Sequence, residues 1–207
     1  MEELPVYLKA QEVAEMLGKP ENHIRRLAII NKIPGIRIEK IWRFDREKIL
    51  RFIDIKHTAA IHEAGHAVMS VICEMDLIFV TVVPRKDTLG RCINKIPYTE
   101  NETIKSKLME NSALVLLAGV TAEYILLNID PMTNKRKEDL DKAREIFNSS
   151  NDGSGKERSD NATKIVWDTF MNPLVQKQTK AIAEALMKYN TLKGIQVREI
   201  IKACGTE

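Results

Sequence analysis

Residues 57–73, HTAAIHEAGHAVMSVIC, constrain this chain more tightly than any other stretch. Ile61, Ala64, Val68 and Ile72 recur at helical spacing, which predicts a helix with its apolar side set into a core. Within that run sit three ionisable residues, His62, Glu63 and His66. Positions i and i+4 stand one turn apart on the same face, so the two imidazoles share one side of the helix. Unpaired imidazoles in apolar surroundings are costly unless they bind something. Gly65, between them, costs about 1 kcal/mol relative to alanine in a helix and therefore asks for a packing reason, such as close approach by another segment.

The spacing His-Glu-x-x-His is the one a helical metal site requires: two imidazoles grip one ion, and the glutamate projects beside it. Zinc suits neutral imidazoles and acidifies a water, whose proton Glu63 would take as general base in attack on a carbonyl. A catalytic zinc needs a third protein ligand and keeps one position open. His57 is too near in sequence to fold back, and His23 belongs to another region, so downstream carboxylates are the candidates. KEDLDKAREIF supplies Glu138, Asp139, Asp141 and Glu145, and pattern alone does not choose among them. The competing explanation is an amphipathic helix carrying polar residues by chance.

The region before this helix has a different character. KAQEVAEMLG and ENHIRRLAIIN read as two helices about a turn at Gly18–Pro20, with Val13, Leu17, Ile24 and Leu27 as their core. IRIEKIWRF alternates like a strand pair, and Asp45 stands as N-cap of a helix over DREKILRFID. Charge divides this region. Residues 1–21 hold Lys9 and Lys19 against Glu2, Glu3, Glu12, Glu15 and Glu21. Residues 22–51 hold Arg25, Arg26, Lys32, Arg37, Lys40, Arg43, Arg46, Lys48 and Arg51 against only Glu39, Asp45 and Glu47. The excess falls on the second helix and the hairpin, the elements that face DNA in a winged arrangement. Overall the formal charge is only +3, so the basic surface is local.

Beyond the histidine helix, DLIFVTVVPR reads as a strand, TLGRCINKIP as its partner with Leu89 and Gly90 in the turn, and Glu102–Leu127 as a long helix interrupted near Gly119. Two more helices follow near 158–171 and 173–189, and residues 148–161 read as a flexible loop. The three cysteines, Cys73, Cys92 and Cys204, have neither disulfide-framework nor zinc-knuckle spacing, which fits a reducing compartment. The N-terminus lacks signal-peptide organisation, and the apolar run 112–127 is interrupted by Glu123 and falls short of the roughly 20 residues of a membrane span. The expectation is a soluble, cytoplasmic protein without membrane attachment.

Two resemblances extend these readings. YLKAQEVAEMLG through IPGIRIEKIWRF resembles the excisionase-type helix-turn-helix, related to the MerR winged-helix group. That resemblance implies that Asn22, Arg25 and Arg26 face the groove, with Arg37, Lys40 and Arg43 on the wing against backbone. Glu21 departs from it, since an acid near phosphate is repulsive unless it reads a cytosine amino group. HEAGHAV, FVTVVPRKDTLG, LLAGVTAEYIL, EDLDKAREI and AIAEALMKYNTLKGIQVREII are similar, in order and spacing, to the peptidase domain of FtsH-type ATP-dependent metalloproteases. This implies His62, His66 and Asp139 as zinc ligands and Glu63 as catalytic base. It also implies the strand Val80, Thr81, Val82 as the edge that holds an extended substrate by main-chain pairing. The family's Thr-Thr-Gly loop reads Thr133, Asn134, Lys135 here, and nothing in the sequence resembles the family's ATPase module.

The expected fold is mainly α with a small β component. Residues 1–55 form a winged helix-turn-helix, and residues 56–207 form a mostly helical zinc peptidase domain with a short sheet. The expected function is a DNA-binding regulator of phage or mobile-element type that cleaves an accessible protein segment, as a homo-oligomer or beside a separate ATPase. Its rival is a transcriptional regulator whose peptidase fold serves as a non-catalytic sensor or dimerisation module.

Overall fold

A two-residue strand, β1 (Tyr7–Leu8), leads into α1 (Ala10–Leu17) in a computed structural model that describes residues 6–85, 88–130, 137–149 and 154–205. The Glu12 carboxylate accepts from the Lys9 N–H, 2.6 Å away, at the start of α1. Gly18, at φ +59°, ends it in the left-handed conformation that glycine adopts without penalty. After Pro20 comes α2 (Glu21–Ile29), and then the hairpin β2 (Ile36–Ile38) and β3 (Ile41–Asp45). Both residues of its turn, Glu39 and Lys40, have positive φ, the two-residue geometry that matches strand twist. The three strands form an antiparallel sheet in the order β1-β3-β2.

Val13, Ile24, Phe44 and Ile49 are fully buried in the core of this unit, each contributing on the order of 1.5–3 kcal/mol by leaving water. Leu17 and Leu27, expected beside Val13 and Ile24, pack at the margin of that core.

Asp45 accepts from the Lys48 N–H at 3.1 Å and caps the next helix, α3, as its position suggested. That helix does not stop after the capped segment: it runs without a break from Arg46 to Ile72, joining two stretches that read as separate helices in the sequence. The chain divides into two compact units, Met1–His57 and Thr58–Glu207, and the division falls within α3.

The second unit continues with β4 (Asp76–Thr81), β5 (Arg91–Lys95), α4 (Glu102–Leu127), α5 (Lys137–Asn148), α6 (Gly155–Met171), α7 (Pro173–Tyr189), β6 (Thr191–Lys193) and α8 (Gly194–Ala203). The chain is therefore mainly α with two small antiparallel sheets. Ala60, Ala64, Ala67 and Val68 of α3 join Val80 of β4, Ala118 and Ala122 of α4, Val166 and Phe170 of α6 and Ile182 and Leu186 of α7 in a single core.

Three expectations are corrected here. First, α4 is continuous through Gly119; Asn101 caps it by accepting from Thr103 and Ile104 N–H, and Asn128 closes it at φ 53°. Second, α6 begins at Gly155, inside the stretch read as a loop, because a helix-compatible KERSDN run follows that glycine. Third, β4 is the middle strand of the sheet β5-β4-β6. Val80 pairs with Cys92 on one side and Leu192 on the other, Thr81 pairs with Arg91 and Thr191, and Val82 N–H donates to Asn190 O at 2.8 Å. Val80 and Thr81 are thus paired on both sides, and among the described strands β4 is not an edge.

α4 is long and apolar enough to cross a membrane by length and composition. In this fold Ala113, Val115, Leu117, Ala118, Val120 and Ala122 of that helix are buried.

Candidate functional site

His62 and His66 lie on the buried half of α3, where α4 crosses it closely enough that only small residues fit. A Cβ at Gly65 would stand 2.7 Å from both the Ala118 carbonyl oxygen and the Ala122 Cβ. The reason for glycine in this helix is therefore α4. On the facing helix, a Cβ at Gly119 would come 2.5 Å from His66 Cε1 and 2.8 Å from His62 Nε2. Gly119 is the space in which the imidazoles meet, not a helix break.

Three atoms converge there. His66 Nε2 is 2.9 Å from His62 Nε2, His62 Nε2 is 3.0 Å from Asp139 Oδ2, and His66 Nε2 is 3.5 Å from the same oxygen. Asp139 reaches in from the first turn of α5. The other acids of that helix face elsewhere: Glu138 pairs with Lys142 at 2.7 Å, Asp141 pairs with Arg144 at 3.4 Å, and Glu145 is exposed. Of the four carboxylates that the sequence left open, the structure brings Asp139 alone to the histidines. The residues Thr133, Asn134 and Lys135 lie outside the described residues.

The far sides of the rings fix what the near sides are. His66 Nδ1 lies 2.6 Å from Val115 O, which can only accept, so Nδ1 carries the proton and Nε2 presents a lone pair. His62 Nδ1 lies 3.3 Å from Glu123 Oε1 on α4, which favours the same tautomer. Two imidazole lone pairs and a carboxylate oxygen then face one another with no donor among them. That is the donor set of a cation. Ligands about 2.0–2.1 Å from a tetrahedral zinc lie roughly 3.3–3.4 Å apart, close to the separations here, so the residues fit that ion. Glu123, 2% exposed, is a site residue that the sequence pattern presents as a mere interruption of an apolar run. A buried acid on the helix that follows a His-Glu-x-x-His segment was the available signal.

Glu63 is 6% exposed, and its Oε2 is buried without a hydrogen-bond partner. Burial raises its carboxyl above the usual range, opposed by His66 and His62 and, further off, by Arg91. Burial also works to raise Asp139, but when the rings are protonated the hydrogen bonds and positive charge of His62 and His66 together outweigh it and hold the carboxyl well below its ordinary value. Gly90 closes over Glu63: a Cβ there would meet Glu63 Cγ at 2.5 Å and Oε1 at 2.6 Å. β5 begins one residue later and pairs, among the described strands, with β4 alone. The free strand edge beside the glutamate therefore belongs to β5.

Cys92 and Cys73 are free thiols, pushed up by burial to about 12 and about 11 respectively, which makes them inert packing groups.

In the first unit Asn22, Arg25 and Arg26 are exposed along one stripe of α2. Arg25 is already engaged there: its Nε and Nη2 donate to Glu21 Oε1 at 3.0 and 2.5 Å. On the hairpin, Arg37 Nε donates to Lys40 O at 3.2 Å across the turn, and Arg43 Nη1 donates to Trp42 O at 3.2 Å. The register pairs Ile36 with Arg43 and Arg37 with Trp42, so Arg37 and Arg43 leave opposite faces of the wing.

Residues 53–151 match the sequence model of Peptidase family M41, and residues 7–54 match that of a helix-turn-helix domain. The chain is 25% identical over 233 residues to the ATP-dependent zinc metalloprotease FtsH of Rickettsia felis, covering 93% of this chain and 35% of that protein. It is 32% identical over 93 residues to the FtsH of Aquifex aeolicus, covering 44% of this chain and 14% of the relative. It is 24% identical over 185 residues to the YME1 homolog of Caenorhabditis elegans, covering 72% and 25%. The chain thus spans about a third or less of the length of these relatives, and it joins a helix-turn-helix segment to a peptidase-like one.

Proposed function

We propose that this chain is a DNA-binding zinc endopeptidase, a regulator of phage or mobile-element type that cuts an accessible protein segment in the cytoplasm. The observation that carries the reading is the convergence of His62 Nε2, His66 Nε2 and Asp139 Oδ2 within 4.8 Å of one another, beside the buried carboxylate of Glu63. His62, His66 and Asp139 would hold the ion, and Glu123 and the Val115 carbonyl orient the two imidazoles. Zinc, when bound, acidifies water and polarises a carbonyl.

The protein's own residues do the rest. Glu63 takes a proton from the attacking water and returns it to the leaving amine, a task that suits a carboxyl raised by burial. The free edge of β5 holds the substrate extended, by main-chain hydrogen bonds that run past Gly90 and so past Glu63. An extended strand is needed, which selects unstructured segments. On the first unit, Asn22, Arg25 and Arg26 of α2 enter the groove, and Arg37, Lys40 and Arg43 contact the backbone.

Metal analysis together with Glu63→Gln tests this. Wild type is expected to carry about one zinc per chain and to cleave an unstructured polypeptide, and the variant is expected to keep the zinc and lose cleavage. A zinc-loaded wild type that cleaves no such substrate would leave the sensor or dimerisation reading in its place.

A further inference from the structure

Arg91 opens β5 directly after Gly90, and its charge, after those of His66 and His62, opposes the effect of burial on Glu63. Its neighbour Cys92 turns inward, with Sγ 3.9 Å from Ser70 Oγ of α3. By strand alternation, Arg91 and Ile93 occupy the other face of the sheet, the face of Phe79. There the guanidinium carbon lies 6.0 Å from the centre of the Phe79 ring. An aromatic wall holds the cation but offers Nε–H no acceptor: Nε is buried and makes no hydrogen bond. No described carboxylate forms an ion pair with this guanidinium. A buried charged donor left without an acceptor is costly, and five fixed N–H donors suit a carboxylate above other partners.

An extended segment added antiparallel to the free edge of β5 places one residue directly opposite Arg91. Its side chain stands on the same face, about 4.5–5.5 Å away between Cβ atoms. Since Gly90 touches Glu63, that residue lies within about two positions of the bond being cut, at roughly 3.3 Å per residue. We propose that Arg91 is a specificity-determining residue that makes this site select unstructured segments bearing Asp or Glu beside the scissile bond. The proposal rests on the peptidase reading above.

The test uses the full-length, zinc-loaded protein and a degenerate mixture of unstructured peptides, with cleavage sites mapped by mass spectrometry. Wild type is expected to prefer Asp or Glu at one fixed position by roughly tenfold to a hundredfold in kcat/KM over the matching amide, the worth of a charged hydrogen bond. Arg91→Gln should lose the discrimination between acid and amide, and Arg91→Glu should transfer the preference to Lys or Arg at that same position. Equal wild-type rates on acid and amide peptides, or an acidic preference that survives in Arg91→Glu, overturns the assignment while leaving the peptidase reading intact. No cleavage of any peptide by zinc-loaded wild type overturns both.

Discussion

Gly119 faces His66 so closely that a Cβ on the glycine would stand 2.6 Å from the Nε2 atom that turns toward Asp139. The atoms in the way are the tips of two side chains, His66 and His62, and not backbone. Gly119→Ala should therefore leave the fold in place, helped by alanine's roughly 1 kcal/mol advantage within a helix, while pushing the imidazoles apart. Zinc affinity is expected to fall by at least roughly tenfold to a hundredfold, as when the supports of a ligand are disturbed. Titration with a competing chelator, beside an unchanged far-ultraviolet circular dichroism spectrum, checks both halves.

Gly65 makes the opposite case. A Cβ there would meet the carbonyl oxygen of Ala118, which belongs to the backbone of α4 and cannot swing aside. Gly65→Ala is expected to destabilise the protein by about 1–3 kcal/mol despite better helix propensity, the usual cost of overpacking. Urea unfolding of the metal-free protein measures it, and a gain in stability would mean that the two helices are not held this close.

These two glycines also mark how far the sequence could be read. The helices and strands of both units follow apolar periodicity, caps and turn residues, and the histidine spacing announced the metal site. Gly65 was legible as a residue in need of a neighbour, but Gly119 read as a helix interruption, because nothing local distinguishes a break from a close approach. By pattern alone Asp139 was one of four carboxylates and only the family resemblance singled it out, since its neighbours Glu138 and Asp141 differ from it only in the direction they face. The resemblance made the strand VTVV an edge, and nothing nearby spoke against it because its second partner, β6, lies more than a hundred residues downstream. Long-range pairing of that kind leaves no local signal.

Glu123 stands 3.3 Å from His62 Nδ1, on the side of the ring away from Asp139. Glu123→Gln keeps the shape and removes the charge that favours the Nδ1-protonated ring. Zinc affinity should drop by about tenfold to a hundredfold, and cleavage should be recovered at saturating zinc. Failure of added zinc to restore cleavage would give Glu123 a role beyond positioning.

The buried carboxyl of Glu63 makes a prediction about pH. Its folded value is raised, so the group is least costly to the fold when protonated, and stability is lost as pH rises through that value. Glu63→Gln cannot ionise. In metal-free protein, wild type and variant should therefore unfold at similar temperatures near pH 4. The variant should then pull ahead as pH rises, by roughly 2–4 °C for each kcal/mol removed. Calorimetry with chelator present decides the matter, and a gap that stays constant with pH would show that ionisation of Glu63 costs the fold nothing.

The pairing of Arg25 with Glu21 bears on DNA. Both Nε and Nη2 of Arg25 donate to one Glu21 oxygen, on the stripe of α2 that also carries Asn22 and Arg26. The pair is exposed and worth at most about 1 kcal/mol to the fold, so either partner can be changed without unfolding the unit. Glu21→Gln releases Arg25 and removes a negative charge, and binding to duplex DNA should become tighter and more salt-dependent. Arg25→Ala with Arg26→Ala should weaken binding and lower the slope of log affinity against log salt by about two, one for each phosphate no longer neutralised. Fluorescence anisotropy between about 50 and 200 mM salt separates the outcomes, because removing a hydrogen bond to a base edge changes affinity without changing the slope. If affinity and slope are the same in all three proteins, α2 does not touch DNA, and the basic face of this unit serves another partner.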